Sequence, residues 1–355
     1  MGLLWMDYGP EFQNLVDKAY EYERAEHAAY FSRLDASQRR HFREDTRYNV
    51  DFLRTALTLG DSRVIETYAV WLYELMAGIF KQQDNASEQA LHCVLNNISC
   101  IERAAVDVLD LDKLQHVQTL LAAARESVLA YVHGEGVSAA CPHSLHQAEV
   151  DQYLDLLLSR NTRGAMSYVR QLVDGGMAVD EVYVGVLAEA MRRVGELWHA
   201  GAITVDVEHY CTAATQTAMS QLYARIFAAP RRGKTVLVAC PGAELHEMPA
   251  RMVADLFEND GWDSVYLGAA VPQENLLAAV AEHKPDLVAL SVTMPQFLVD
   301  CERAVCALKQ TFPQVEVSVG GRAFDSTHEI WRTWPIDYFA HDARELISAA
   351  DAAAE

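Results

Sequence analysis

The stretch TVLVACPGAELHEMPARMVADLFENDGW, residues 235 to 262, joins a short apolar run to a helical pattern through a polar loop. Continuous apolar runs are typical of parallel strands buried on both faces, and helices form the crossovers between such strands. The loop would lie at the carboxyl end of its strand, where open α/β sheets bind their ligands. His246, between Glu244 and Glu247, is therefore a candidate ligand-binding residue.

The same alternation continues towards the carboxyl terminus. SVYLGA, LVALSVT and VEVSVGG are apolar runs separated by helical stretches such as ENLLAAVAEHKP. This order predicts a doubly wound, Rossmann-like parallel sheet with a last strand near IDYFA and a closing helix from Ala343. A dinucleotide-binding sheet would carry G-x-G-x-x-G after its first strand. The chain has P-G-A-E-L-H there, which disfavours a nicotinamide or flavin nucleotide.

The regions before the sheet have a helical pattern. Residues 1–132 contain no proline after Pro10 and repeat their apolar residues at helical spacing, which predicts an all-helical sensor domain whose size would also suit a globin-like fold. Residues 133–147 are rich in Gly, Ser and Pro and predict a linker. Three turn signals divide residues 148–230 into a four-helix bundle, and residues 231–355 form the sheet domain. The predicted fold class is thus α + α/β.

Composition limits the partners. The 355 residues carry a formal net charge of -21, so clustered cations for nucleic-acid phosphates are lacking and we expect no direct nucleic-acid partner. No apolar run approaches the length of a membrane span, and the start shows no signal-peptide pattern. Seven scattered cysteines without C-x-x-C spacing favour reduced thiols. We therefore expect a cytoplasmic protein without a membrane partner.

The loops of the predicted sheet resemble the cobalamin-binding fold, whose usual motifs are D-x-H-x-x-G, S-x-L or S-x-T, and G-G. They stand here as Glu244-x-His246-x-x-Pro249, Ser291-x-Thr293 and Gly320-Gly321. The resemblance implies that His246 binds cobalt from below in place of the cofactor's own base, with Glu244 orienting its imidazole. It also implies a set of cofactor-binding residues: Glu244, Leu245, Glu247, Met248, Pro249, Gly268, Ser291, Thr293, Gly320 and Gly321.

Two residues depart from that motif. Glutamate replaces the commoner aspartate at Glu244, and Pro249 stands where the motif has glycine. Proline suits the first turn of a helix, so the fold should accept it. The departure at Pro249 concerns the slot for the nucleotide tail, in which Ser291 and Thr293 would form hydrogen bonds.

The helical region just upstream carries Trp198-His199, followed by Glu208-His209. This arrangement resembles CarH-type light sensors, which use adenosylcobalamin. The resemblance implies that Trp198 packs against the adenosyl group, that Glu208 and His209 contact it, and that His199 can bind cobalt once the group has left. It further implies a switch in which light breaks the cobalt-carbon bond and the helix bundle then moves, changing domain or subunit contacts.

The amino-terminal region indicates what is switched. CarH-type repressors carry a helix-turn-helix domain there, but residues 1–132 have no short basic recognition helix. We expect a sensory or regulatory binding protein without a catalytic effector domain. Its effector would be an unidentified protein, and it would form a homo-oligomer whose state depends on light.

RYNVDFLRTALTLGDSRVIETYAVWLYELM, residues 47 to 76, resembles the helical region placed before cobalamin domains in sensors that include photocobilins, which bind biliverdin as a second chromophore. A tetrapyrrole pocket needs apolar and aromatic walls with a few polar groups. The candidate residues are Tyr48, Tyr68, Trp71, His92, Cys93 and Arg103. An aromatic-rich helical core would show a similar composition.

Two other functions share the His246 loop and the helical cap. One is a corrinoid carrier of a methyltransferase system, and the other is a non-photochemical cobalamin or redox sensor that acts on a protein partner. Trp198, His199 and Glu208-His209 favour light sensing, because a methyl group needs no large pocket and a carrier must expose its cobalt.

Overall fold

The computed structural model describes residues 9–135 and 145–352. The predicted linker falls largely on residues 136–144, which lie outside the described residues. The chain divides into two compact units. One contains the helical residues before this gap together with Asp325–Ile330, and the other contains the rest of the chain. No helix among the described residues is both long and apolar enough to cross a membrane.

The first unit is all-helical, as predicted. Its helices are α1 (Pro10–Glu26), α2 (Ala28–Phe31), α3 (Ala36–Leu59), α4 (Arg63–Phe80), α5 (Ala86–Val108) and α6 (Leu111–Val132). Gly60 ends α3 in the left-handed conformation, with φ 67°. The carboxylate of the buried Asp61 then accepts the Arg63 N–H at 3.0 Å at the start of α4. The Asp61 carboxylate also accepts hydrogen bonds from the backbone N–H and from the ring Nδ1 of His328, each at 2.7 Å.

Glu23 of α1 is a buried acid in the core of the first unit and is 3% exposed. The Thr46 hydroxyl lies 2.8 Å from one of its oxygens and also contacts the Phe42 carbonyl at 3.0 Å. The Asn97 amide donates to the other oxygen. Burial raises the pKa of Glu23 to about 7 and outweighs these hydrogen bonds. A protonated Glu23 can donate to Thr46, whose own hydroxyl then donates to Phe42.

The second unit begins with a helix bundle. Its helices are α7 (Gln147–Leu158), α8 (Thr162–Asp174), α9 (Glu189–His199), α10 (Val205–Ser220) and the single turn α11 (Tyr223–Ile226), and a π-helical segment, Glu181–Ala188, precedes α9. The three predicted turns separate the four long helices. Val150, Tyr153, Leu187 and Met219 are among the fully buried side chains of the bundle core.

A five-stranded parallel sheet follows, in the order β2-β1-β3-β4-β5. The strands are β1 (Thr235–Pro241), β2 (Asp263–Val271), β3 (Leu287–Ser291), β4 (Glu316–Gly320) and β5 (Tyr338–Ala340), and the helices are α12 (Met248–Asn259), α13 (Gln273–His283), α14 (Leu298–Thr311) and α15 (Ala343–Ala352). The predicted fold class is confirmed. Strand order reverses beside β1, so the loops after β1 and β3 face a topological switch point, where such sheets bind ligands.

The bundle packs on the sheet domain through α12. Tyr183 donates to the Asp255 carboxylate at 2.9 Å, and Arg251 donates to the Tyr223 hydroxyl at 2.7 Å and to Ser220 at 3.0 Å. Burial raises the pKa of Asp255 to about 6. Because α12 directly follows the His246 loop, these bonds fix the bundle beside that loop.

Candidate functional site

The loop after β1 is organised around a fully buried carboxylate. Glu244 is 0% exposed, and its Oε1 lies 2.7 Å from Nδ1 of His246 and 2.9 Å from the backbone N–H of the same residue. Its Oε2 accepts the backbone N–H groups of Thr293 and Met294, each at 2.8 Å. One side chain therefore ties the loop after β1 to the loop after β3.

Four N–H donors keep Glu244 ionised. Burial by itself would raise the pKa of this carboxyl, but the hydrogen bonds and charge of His246, together with the Met294 N–H, outweigh it and lower the pKa below its ordinary value. An ionised carboxylate only accepts hydrogen bonds. The proton on the facing imidazole nitrogen therefore belongs to His246 Nδ1.

That proton position defines what His246 can do. In a neutral imidazole protonated at Nδ1, the Nε2 atom carries the lone pair and can bind a metal. A carboxylate behind a ligating histidine fixes its tautomer and raises its basicity. The His246 side chain is 54% exposed, so it is not sealed in the core. The hydrogen bond that His246 donates to Glu244 raises the pKa of His246, and the negative charges of Glu244 and Glu208 add to the same effect.

The influence of Glu208 on His246 brings the two predicted halves of the site together. Glu208 belongs to α10 of the bundle, where it accepts a hydrogen bond from Thr212 at 3.0 Å and lies 3.5 Å from His209 Nε2. Residues 200–204 join α9, which ends with Trp198-His199, to α10, which has Glu208 in its first turn. The predicted upper residues thus lie on both sides of this connection, and one of them acts electrostatically on the predicted lower ligand.

The end of β3 and the loop after it carry the two hydroxyl residues that were predicted for the tail slot. Ser291 is buried, and the hydroxyl oxygen of Thr293 is buried without a hydrogen-bond partner among the described residues. A buried hydroxyl without a partner is costly, so an incoming acceptor or donor would stabilise it. Since His246 offers a free Nε2 and Thr293 an unpartnered hydroxyl, the residues present fit a corrinoid cofactor.

Contacts with the protein's own backbone, rather than space for a cofactor, explain why glycine stands at the end of β4 and just after it. A Cβ on Gly321, whose φ is +107°, would lie 2.2 Å from the Val292 carbonyl oxygen, and one on Gly320 would lie 2.6 Å from the Ala340 carbonyl oxygen. The protein's own backbone therefore requires glycine at both positions. Binding of a cofactor by Gly320 and Gly321 stays a prediction.

The remaining predicted residues surround the His246 loop. Leu245 is 55% exposed, whereas Met248 packs against the bundle core and Pro249 lies in the first turn of α12. Gly268 has φ +81°, and a Cβ there would lie 3.3 Å from a carboxylate oxygen of Glu247. Pro249 is thus accommodated by the helix start.

Glu247 has protein partners that the sequence did not reveal. Gln216 of α10 donates to one of its carboxylate oxygens at 3.3 Å, and the Tyr266 hydroxyl of β2 donates to the other at 3.3 Å. Gln216 and Tyr266 therefore join the bundle, the loop and the sheet. No motif marks either residue, because their roles depend on which segments the fold brings together.

The predicted bilin residues occupy separate places in the first unit. Tyr68 stacks on Phe52 at 3.7 Å and on Trp71 at 5.8 Å between ring centroids. His92 and Cys93 line a cavity of about 410 Å³ whose lining includes neither Tyr68 nor Trp71.

The other two bilin candidates are also engaged or partly buried within the helices. Arg103 pairs with Glu26 and lies 4.1 Å over the Tyr22 ring. Tyr48 is half-buried, and burial raises its pKa. Only His92 and Cys93 of the six residues share the described cavity.

Comparison with known proteins agrees with this geometry. Residues 234–349 match a family model described as B12 binding domain, and residues 149–223 match a second model with the same description. The HTH-type transcriptional repressor CarH of Myxococcus xanthus is 29% identical over 226 residues, which are 62% of this chain and 73% of CarH. The chain is thus similar to CarH and carries two segments that match B12 binding domain models.

Two further proteins are similar to parts of the chain. The HTH-type transcriptional repressor CarA of Myxococcus xanthus is 30% identical over 128 residues, which are 35% of this chain and 42% of CarA. The monomethylamine corrinoid protein of Methanosarcina barkeri has a TM-score of 0.51 and 20% identity, covering 58% of this chain and 97% of that chain. The second likeness concerns the fold of the bundle and sheet. The cobalamin cofactor is thus supported by family and by geometry.

Proposed function

We propose that this chain is a light-responsive regulatory protein that holds adenosylcobalamin between the bundle and the sheet. The observation that carries the proposal is the hydrogen bond from Gln216 to Glu247 at 3.3 Å, because it joins α10, the bundle helix that bears Glu208 and His209, to the loop of His246. Similarity to two repressors supports a regulatory role over a catalytic one. The bound cofactor would supply a photolabile cobalt-carbon bond.

The residues of the sheet hold the lower side. His246 would hold the cobalt of the cofactor through Nε2, because Glu244 occupies its Nδ1 and fixes the ring. Ser291 and Thr293 bind the nucleotide tail, with the buried Thr293 hydroxyl gaining the partner that it otherwise lacks. Glu244 bonds both loops, so the ligand and the tail slot are positioned by one carboxylate.

The residues of the bundle hold the upper side. Trp198 supplies an apolar surface for a bulky upper ligand, and Glu208 and His209 contact its polar groups. His199, next to Trp198, is assigned as the imidazole that occupies the upper position after that ligand has left. Loss of packing at Trp198 moves α9 and α10 relative to the sheet, and the movement alters contacts with a protein effector or with a second copy of the chain.

The test uses purified protein loaded with adenosylcobalamin in darkness. We expect green light to change the absorption spectrum irreversibly and to change the elution volume. Glu208→Gln should weaken retention of adenosylcobalamin, whereas Glu196→Gln, an exposed carboxylate on α9, should not. Protein loaded with methylcobalamin is the control, because its upper ligand is a methyl group, which needs no large pocket.

The corrinoid carrier is the alternative that this test separates. A carrier would bind methylcobalamin as well as adenosylcobalamin, tolerate Glu208→Gln, and keep its elution volume under light. A spectral change without any change of elution volume or of partner binding would leave a photolabile cofactor without an output and would contradict the regulatory proposal.

The first unit would carry the second chromophore. We propose that biliverdin binds at the cavity lined by His92 and Cys93, whose size lies in the usual range for small-molecule sites. Added biliverdin should give a red-absorbing complex, and Cys93→Ser should abolish any covalent product that persists under denaturation. Cys306→Ser, an exposed thiol of the sheet domain, is the matched control. Absence of a red-absorbing complex would contradict this assignment.

A further inference from the structure

A second cavity lies at the amino-terminal ends of the strands, whereas His246 follows the carboxyl-terminal end of β1. It has a volume of about 680 Å³ and is lined at the strand starts by Lys234, Trp262, Asp286 and Glu316. These residues stand at or just before the first residues of β1, β2, β3 and β4. A seven-residue strand such as β1 spans roughly 20 Å. The cavity is therefore remote from the cobalamin site.

Its two lysines differ from the other lysines of the chain. Lys18, Lys113 and Lys309 each form an ion pair with a carboxylate, and Lys81 also has a partner. Lys234 and Lys284 have no carboxylate at ion-pair distance among the described residues. In a chain with a net charge of -21, acidic partners are abundant, so two unpaired lysines at one cavity are notable. The ammonium groups of Lys234 and Lys284 are therefore available to the carboxylate of a ligand.

Trp262 gives an independent indication. It lines the cavity, is 1% exposed, and its indole N–H has no hydrogen-bond partner among the described residues. The Lys234 ammonium lies 4.8 Å from the centroid of its ring. A buried N–H without an acceptor is destabilising, so a ligand oxygen that reached it would be favoured.

The walls and the remaining charges narrow the ligand class. Val280, Pro285, Phe312 and Val315 provide apolar and aromatic surface. The cavity also carries two acids, whose carboxylates accept hydrogen bonds from the chain itself, Asp286 from the Thr235 N–H at 2.7 Å and Glu316 from the Tyr338 hydroxyl at 2.9 Å. Their negative charge disfavours a polyanion such as a nucleotide.

We propose that this cavity binds a small organic monoanion that has an aromatic body and one carboxylate. The carboxylate lies between Lys234 and Lys284 and accepts the Trp262 indole N–H, and the body packs on Phe312 and Val315. The site acts independently of cobalamin, because it uses the amino-terminal ends of the strands.

The test uses phenylbutyrate as the probe and its uncharged amide as the comparison, with calorimetric titration of the full chain before and after loading with cobalamin in darkness. We expect one phenylbutyrate to bind with equal affinity in both states and the amide to bind at least tenfold more weakly. The nitrogen-15 resonance of the Trp262 indole, assigned with Trp262→Phe, should shift on binding.

Variants separate charge recognition from non-specific binding. Lys234→Met combined with Lys284→Met should weaken phenylbutyrate binding at least tenfold, and Lys18→Met combined with Lys113→Met should leave it unchanged. Lys284→Gln alone, at an exposed side chain, keeps the test valid if the double variant is unstable. Equal binding of acid and amide, an unaffected lysine variant, competition by cobalamin, or no binding would each overturn the proposal.

Discussion

Replacing Glu244 with glutamine tests how the site is held together. The carboxylate accepts four N–H groups, two on each oxygen. A glutamine amide keeps one oxygen and presents its own N–H groups in place of the other. Turned towards Thr293 and Met294, the amide N–H groups face two buried backbone donors. Turned towards His246, whose imidazole can move its proton to Nε2 and accept at Nδ1, the amide still leaves two donors without an acceptor, the His246 backbone N–H and one of its own N–H groups.

The magnitude follows from those two donors. Each buried donor left without an acceptor costs about 1–3 kcal/mol, so Glu244→Gln should lower the free energy of unfolding of the second unit by about 4 kcal/mol. With a urea dependence of about 2–3 kcal/mol per molar for a unit of this size, the unfolding midpoint should fall by about 1–2 M. Tryptophan fluorescence during urea unfolding measures this change on the cofactor-free protein.

The matched variant is Glu282→Gln, an exposed glutamate on α13. It should change the free energy of unfolding by less than about 0.5 kcal/mol, as most surface substitutions do. If Glu244→Gln were as mild as Glu282→Gln, the carboxylate would not be what joins the two loops, and its assignment as the partner that orients His246 would fail.

Three further predictions concern other buried polar groups. Glu23→Gln removes an acid whose pKa in the folded protein, about 7, exceeds its ordinary value of 4.5. The free-energy cost of burying its charge is therefore absent below pH 4.5, grows between pH 4.5 and 7, and is fully present above pH 7. The variant should match the wild type at pH 4.5 and be about 3 kcal/mol more stable at pH 8 by urea unfolding, whereas an equal difference at both pH values would contradict the burial argument. Thr293→Val should leave the cofactor-free protein unchanged or about 1 kcal/mol more stable, yet weaken cobalamin binding several-fold in a dialysis assay; unchanged cobalamin binding would remove Thr293 from the tail slot. Tyr183→Phe should cost about 1–3 kcal/mol of unfolding free energy because buried Asp255 loses a donor, and a neutral result would show that this bond does not hold the bundle on α12.

The sheet could be predicted from the sequence because each buried strand appears there as a short apolar run. TVLVAC and its three successors became strands β1 to β4, and even the short last strand was found within IDYFA, at Tyr338–Ala340. The Gly60 helix end was also visible, because a left-handed residue at a helix terminus favours glycine. Local patterns therefore defined the elements and their order.

Local sequence patterns could not predict the contacts between segments that are distant in sequence. The bonds from Gln216 and Tyr266 to Glu247 join three elements that are separated in sequence, and nothing in their spacing marks them. The same reason explains the bilin candidates. Helical spacing shows which residues share a helix face, but it does not show which faces meet, so Tyr68 stacks with Phe52 and Trp71 while His92 and Cys93 line another cavity.

Ligation of cobalt by His246 is the claim on which the account depends most. Electron paramagnetic resonance of the protein loaded with cobalamin and reduced to the paramagnetic cobalt(II) state tests it, with the protein's histidines labelled with nitrogen-15. We predict that the axial nitrogen splitting changes with the label, and that His246→Ala removes this histidine signal. A splitting that is insensitive to the label would show that the cofactor's own base remains bound to cobalt and would contradict the account.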